Sequence, residues 1–157
     1  SVCLSKGPGA PVGSLVLGSA AFIRQARRTR KILGGGMRQA GVLAAAGHYA
    51  LQHHVRRLAE DHANLHTLAS GLRAVGESHP VLRGRITVHP WQTNILFTDV
   101  QADVAPAFTA WLALHQIRVT SSLYGGQSRL RWVTHLDVNA ADVQAALDCV
   151  ARFTVPG

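Results

Sequence analysis

The chain opens with Ser1-Val2-Cys3-Leu4-Ser5-Lys6-Gly7-Pro8-Gly9-Ala10-Pro11-Val12-Gly13-Ser14, which places a lysine between an apolar run and a turn rich in Gly and Pro. The apolar residues 2–4 and 14–17 predict two short buried strands on either side of this turn. An amine held among small neutral residues at a strand end is desolvated, which lowers its pKa toward the free amine that attacks carbonyl carbons. Lys6 is therefore a candidate for Schiff-base chemistry.

Two further segments carry candidate residues. The first is Arg30-Lys31-Ile32-Leu33-Gly34-Gly35-Gly36-Met37-Arg38-Gln39-Ala40-Gly41, and the second is Arg131-Trp132-Val133-Thr134-His135-Leu136-Asp137-Val138. Each basic residue also has a structural explanation: Lys31 and Arg38 as solvated charges at helix ends, and Arg131 as a surface arginine on an edge strand. The glycine triplet is typical of an interhelical turn, since the Walker pattern of a phosphate loop is absent.

Together these three segments resemble the low-specificity L-threonine aldolases, pyridoxal-phosphate enzymes of the β-eliminating lyase family with the aspartate-aminotransferase fold. The resemblance continues through residues 41–61 and is weakest between residues 76 and 126. Members of that family are about twice as long and carry the cofactor lysine near the middle. The resemblance therefore implies an α/β fold of which this chain is the C-terminal portion: residues 1–76 would end the large cofactor domain with a long linking helix, and residues 77–157 would form a small α+β domain with an antiparallel sheet.

The resemblance also implies roles for particular residues. Lys6 would form the Schiff base with pyridoxal 5'-phosphate, and Lys31 and Arg38 would reach the cofactor phosphate of a neighbouring subunit in a homo-oligomer, a tetramer in that family. Arg131 would grip the substrate carboxylate, because a guanidinium fork donates two parallel hydrogen bonds to a carboxylate. Arg129 lies two residues away on the same strand face and is the competing assignment.

The function implied is cleavage of L-threonine or L-allo-threonine to glycine and acetaldehyde, with the remaining cofactor contacts supplied by an absent N-terminal half. Two alternatives stay open. The chain could belong to another pyridoxal-phosphate lyase that acts on a different β-hydroxy amino acid, or it could be a non-catalytic truncated or degenerate product that assembles with a partner. Pro8 departs from the family pattern, and it fixes the backbone angle two residues after Lys6.

Composition limits the other classes of function. The chain has 157 residues, a formal charge of +8 and 47% hydrophobic residues. Its arginines are scattered, and the dense cluster at residues 24–31 lacks interleaved aromatic residues, so a nucleic-acid partner is not expected. No apolar stretch approaches the ~20 residues that span a bilayer, and we expect a cytoplasmic protein without a membrane partner. Cys3 and Cys149 are expected to be reduced, buried thiols.

The remaining patterns predict the order of the elements. Ser19 should cap a helix to about residue 33, and a long helix should follow over residues 37–75, with His62 on its buried seam and Asp61 outside it. Strands are predicted at residues 86–89, 94–100, 117–121 and 129–136, with helices at 102–115 and from an Asn139 cap to residue 153.

Histidine is abundant, with nine residues, but no metal site is expected. His62 and His66 have i,i+4 spacing without the glutamate of an H-E-x-x-H motif. His53 and His54 are predicted on a helix surface. His135 is predicted to pack in a strand near Arg131, and Asp137 to form a turn.

Overall fold

The computed structural model describes residues 1–155 and divides the chain into two compact units, Ser1–Leu58 and Ala59–Gly157. The last two residues of the predicted second domain, 156 and 157, lie outside the described residues. The division between the units falls earlier than the domain boundary predicted at residue 76. That boundary concerns the domains of a longer enzyme, and it stays a prediction.

The first unit is a small two-stranded sheet followed by two helices. Strand β1 (Val2–Cys3) pairs antiparallel with β2 (Ser14–Leu15), and helices α1 (Ala20–Ile32) and α2 (Gly41–His53) follow. The two strands occur as predicted, but the expectation that they are buried is wrong: Val2 and Leu15 are both exposed. A two-stranded sheet has no further strand and little apolar cover to bury them, since the small buried cluster of this unit consists of Leu4, Ala10 and Ala50.

Helix α1 has the caps that its sequence predicts. The Ser19 hydroxyl accepts a hydrogen bond from the Phe22 N–H (3.3 Å). At the other end the Gly34 N–H donates to the Lys31 carbonyl (3.2 Å) and the Gly35 N–H to the Arg30 carbonyl (2.8 Å), with Gly34 at a φ of 79°. This pair of bonds is the Schellman motif, so the glycine triplet is a helix-terminating turn as expected.

The second unit packs three helices and a four-stranded sheet. The helices are α3 (Leu58–Ser78), α4 (Ala105–Leu114) and α5 (Ala140–Ala151), of which α3 begins at the boundary between the units. The strands are β3 (Ile86–Val88), β4 (Ile95–Val100), β5 (Thr120–Tyr124) and β6 (Gln127–Val133). They lie in the order β3-β4-β6-β5, and every pair is antiparallel. The predicted small antiparallel α+β unit is confirmed.

The sheet has one buried face and one open face. Along β6 the buried residues Leu130 and Trp132 alternate with Arg129 and Arg131, because successive side chains of a strand point to opposite faces. The buried face belongs to a core that includes Leu65 and Leu72 of α3 and Phe108 of α4. Inside that core the Trp132 Nε1–H donates to the Thr98 hydroxyl (3.0 Å), so the indole is buried with its polar atom paired.

Several boundaries differ from the predicted ones. The single helix expected over residues 37–75 is two helices, because residues 54–57 form a turn. In α3, Asp61 is buried and His62 is exposed, the reverse of the prediction. Asp61 lies one helical turn before buried Leu65 and shares its face. Strand β5 begins at Thr120 rather than residue 117.

Within residues 1–155, no helix is both long and apolar enough to cross a bilayer.

The turn that follows α1 generates a first prediction. A Cβ is disfavoured at the positive φ of Gly34, so Gly34→Ala should cost about 1 kcal/mol. We expect amide hydrogen exchange in the last turn of α1, at Ile32 and Leu33, to accelerate about fivefold. Gly41→Ala is the matched control, since Gly41 is not in the left-handed region and a Cβ there meets open space. Equal exchange rates in the two variants would contradict the assignment of Gly34 as the helix cap.

Candidate functional site

Lys6 lies on a closed turn that is held against the end of helix α2. The Gly9 N–H donates to the Lys6 carbonyl (2.8 Å), and the Leu4 N–H donates to the Gly13 carbonyl (2.9 Å). The His54 Nδ1–H donates to the Pro8 carbonyl (2.6 Å) and joins the turn to the C-cap of α2. These bonds fix the backbone on both sides of the lysine.

Close packing reinforces this turn. A Cβ added at Gly7 would lie 2.8 Å from Leu58 Cδ2, so only glycine fits at the residue after Lys6 without displacing Leu58. The prediction that His54 is a helix-surface residue is wrong, because the half-buried imidazole bonds the lysine turn. No sequence signal connected positions 8 and 54, which are 46 residues apart.

The Lys6 side chain itself is exposed. The small residues of its turn fix the backbone but do not cover the ammonium group, so the desolvation predicted from them is wrong for this chain taken by itself. An exposed primary amine on a rigid turn is accessible to an aldehyde, and its position is set by the backbone rather than by burial.

Lys31 and Arg38 flank the glycine turn of the same unit, and both are exposed. Lys31 occupies the last turn of α1, and its chain lies over Gly36, where an added Cβ would come within 3.2 Å of Lys31 Cδ. Arg38 lies in the segment just before α2. The positive end of the helix dipole disfavours a cation at this position. Both cations are therefore open to an anion from outside this unit.

Positive charge is concentrated in the first unit, and the sequence analysis, which treated the arginines as scattered, missed this. Residues 1–58 contain nine Lys and Arg and no Asp or Glu, so they carry a formal charge of +9, whereas the rest of the chain carries −1. No carboxylate side chain of this unit therefore competes with an incoming anion for Lys6, Lys31 and Arg38. Such a unit is suited to binding a phosphate or another anion.

The open face of the sheet in the second unit carries a polar network built from β4, β5, β6 and the residue that follows β3. Arg129 of β6 grips Asp99 of β4 with both prongs, Nε to Oδ1 at 2.7 Å and Nη2 to Oδ2 at 2.8 Å. His89, one residue after β3, donates from Nε2 to the same Asp99 oxygen Oδ2 (2.7 Å). The ring of Tyr124, from β5, lies 3.7 Å from the Arg129 guanidinium carbon.

This network holds both partners in their charged forms. The hydrogen bonds from Arg129, supported by His89, lower the pKa of Asp99 to about 2 even though burial acts in the opposite direction. The same bonds raise the pKa of Arg129. Arg129 is thus fully engaged by an internal carboxylate.

Arg131 is the next residue of β6 on the same open face, and its situation is different. Its side chain is exposed beside Phe97, its cross-strand partner on β4. Within residues 1–155 its guanidinium makes no hydrogen bond or ion pair. Of the two arginines weighed as carboxylate receptors, Arg131 is the one whose donors are available.

His135 and the two cysteines differ in part from their predicted places. His135 is exposed and follows the end of β6, so its predicted place in a packed strand is wrong. Its carbonyl accepts a hydrogen bond from the Val138 N–H (2.8 Å), which closes the turn expected at Asp137. Cys149 is buried, which raises the pKa of its thiol, and Cys3 is half-buried with Sγ 3.3 Å from the Ser14 hydroxyl oxygen.

Metal-ligating side chains do not converge in the part of the chain that the structure describes, where no three His, Cys, Asp or Glu residues are grouped to hold an ion. His62 and His66 are both exposed, and the His66 ring packs edge-on against Trp91 at 5.6 Å.

A cavity of about 300 Å³ lies in the second unit, apart from Arg131. Its walls include Leu68, Trp132 and Val143, with Arg118 and His135 also lining it. Trp132 alternates with Arg131 along β6, so this cavity belongs to the buried side of the sheet. Lys6, Lys31, Arg38 and Arg131 do not line this cavity, and all four are exposed.

Comparisons with known proteins show the family of the chain. The chain belongs to the β-eliminating lyase family, whose model matches residues 1–103. It is similar to the probable low-specificity L-threonine aldolase 2 of Arabidopsis thaliana, at 42% identity over 98% of this chain and 41% of the relative. It is also similar to the low specificity L-threonine aldolase of Escherichia coli (strain K12), at 43% identity over 88% of this chain and 38% of the relative.

A solved structure supports the fold. The 8-amino-7-oxononanoate synthase (bioF) of Francisella tularensis matches with a TM-score of 0.68 over 96% of this chain and 45% of that one, at 17% identity. The chain thus has the fold of the C-terminal part of a larger α/β enzyme, as predicted. It spans about two fifths of the length of the curated relatives it matches.

The depressed pKa of Asp99 generates a second prediction. A carboxylate whose folded-state pKa lies below its ordinary value of 3.8 stabilises the fold above that value and loses this contribution as the pH falls toward about 2. Solvent near the partly exposed His89 reduces the contribution to about 1–2 kcal/mol. Urea unfolding of the second unit, followed by the fluorescence of its three tryptophans, should show this loss in the wild type and not in Asp99→Asn.

Asp103→Asn is the matched control, because Asp103 forms an exposed ion pair with Arg85 (3.2 Å) in the same unit. This variant should lose free energy of unfolding as the pH falls, as the wild type does. An unchanged loss in Asp99→Asn would contradict the role given to the Asp99 network.

Proposed function

We propose that this chain is the C-terminal portion of a pyridoxal-phosphate-dependent threonine-aldolase-type lyase, which cleaves L-threonine or L-allo-threonine to glycine and acetaldehyde. The observation that carries the proposal is the accessible amine of Lys6, held on a turn braced by His54 in a unit that has no acidic residue. The names of relatives that are 42–43% identical supply the reaction type.

The residues of the first unit fit the proposed cofactor. Pyridoxal 5'-phosphate presents an aldehyde and a phosphate, which call for a primary amine and for cations. The chain has two lysines, Lys6 and Lys31. Lys6 would hold the aldehyde carbon covalently. Lys31 and Arg38 would neutralise a phosphate, and the resemblance to the family implies that this is the cofactor phosphate of a neighbouring copy of the chain. The cofactor, when bound, supplies an electron sink for the negative charge that develops on the substrate carbon.

The second unit would supply the substrate's carboxylate receptor. Arg131 presents free donors on an open face, and a guanidinium binds a carboxylate through two parallel hydrogen bonds. By holding the carboxylate, Arg131 would orient the amino acid so that its Cα–Cβ bond is aligned for cleavage. The amine of Lys6, when free, would be the group that returns a proton to the substrate Cα.

The exposed apolar side chains of the first unit support the proposal that other polypeptide segments bind to it. Phe22, Ile32, Leu33, Met37 and Val42 are between 49% and 86% exposed, and α1 buries no residue. Such a surface is covered in a working protein. We propose that an N-terminal portion of the enzyme and a second copy of the chain cover it, and that the finer choice of β-hydroxy amino acid rests with that N-terminal portion.

The covalent attachment of the cofactor is the third prediction. The chain is combined with the N-terminal portion of the Escherichia coli relative and pyridoxal phosphate, reduced with borohydride and digested for mass spectrometry. The pyridoxyl group should be found on Lys6, because its turn is fixed on both sides and its side chain is exposed. Lys31→Arg should keep the label, and Lys6→Arg should lose it. A label confined to Lys31 would overturn the proposal.

A further inference from the structure

The open face of the sheet presents two arginines, and only one can serve as a specific receptor. Arg129 and Arg131 are two residues apart on β6, so their Cα atoms are about 6–7 Å apart on the same face. Two free guanidinium groups at that spacing would offer an incoming carboxylate two binding positions. Since cleavage requires one orientation of the amino acid, the second position would be unproductive.

Asp99 removes this ambiguity. Its two oxygens take both prongs of Arg129, as a substrate carboxylate would, at 2.7 and 2.8 Å. Its side chain is only 9% exposed, so solvent competes weakly for the pair. His89 on one side and Tyr124 on the other hold the pair in place.

The backbone register adds a second effect. Asp99 and Arg129 are directly opposed across β4 and β6, and Phe97 and Arg131 are the next opposed pair on that face. A slip of one residue would turn Arg131 to the buried face, because side chains alternate along a strand. The ion pair therefore also stabilises the register that keeps Arg131 in the open.

We infer that Asp99 is a positioning residue that determines carboxylate recognition: by engaging Arg129 as an internal carboxylate, it leaves Arg131 as the single receptor for the substrate carboxylate. The part of this inference that concerns the substrate rests on the proposed function. The part that concerns the two arginines does not, and it is tested separately.

The first test uses the 157-residue chain and sodium acetate as the carboxylate probe, with sodium chloride as the control for ionic strength. The Nε–H resonances of the arginines are followed by NMR. Acetate should move the Arg131 resonance progressively and leave that of Arg129 in place. In Asp99→Asn both resonances should move. An Arg129 resonance that responds like Arg131 in the wild type would overturn the inference, and this result needs no variant to fold.

The second test uses the chain complemented by the N-terminal portion of the Escherichia coli relative, with threonine as substrate. A second, unproductive receptor should lower kcat and KM together in Asp99→Asn, with kcat/KM kept within about twofold. A fall in kcat/KM would instead show that Asp99 acts only through the register of β4 and β6, and it would reject the inference that Asp99 removes a second receptor. Asp103→Asn should resemble the wild type. If acetate selects Arg131 but threonine is not cleaved, the proposed function fails and the assignment of Asp99 to Arg129 stands.

Discussion

The ion pair between Asp99 and Arg129 is the interaction on which the open face of the second unit depends. It joins the two central strands of the sheet, and His89 and Tyr124 extend it to the flanking strands. Asp99 is buried and Arg129 is partly exposed, so forming the pair costs desolvation free energy, and one use of such a pair is to fix one arrangement among several. Here the arrangement fixed is the register of β4 against β6, which decides whether Arg131 faces solvent or core.

The first unit is organised by a different constraint, the closure of the lysine turn. Backbone hydrogen bonds within residues 4–13 and the His54 bond to Pro8 set the path of the chain around Lys6. Residues 1–58, which include this turn, carry nine basic residues and no acidic one. The unit leaves its amine, its cations and much of its apolar surface exposed.

Local rules in the sequence predicted much of this structure. The Ser19 cap, the glycine turn after α1 and the Asn139 cap of α5 each depend on residues within a few positions, and all three are confirmed. The resemblance to the threonine aldolases implied the antiparallel sheet, which is confirmed. Contacts between distant positions could not be predicted in this way. The bond from His54 to Pro8, the engagement of Arg129 by Asp99 and the burial of Asp61 each depend on tertiary packing, while the exposure of Lys6 reflects the absence of covering residues in this unit.

Acetaldehyde release from L-threonine tests the account most directly. It is measured with pyridoxal phosphate for the 157-residue chain alone and for the chain mixed with the N-terminal portion of the Escherichia coli relative. We expect no release by the chain alone, release by the mixture, and loss of that release in Lys6→Ala. Robust release by the chain alone that Lys6→Ala abolishes would contradict the view that the site needs a second portion. A mixture that folds and binds the cofactor but releases no acetaldehyde would contradict the proposed reaction.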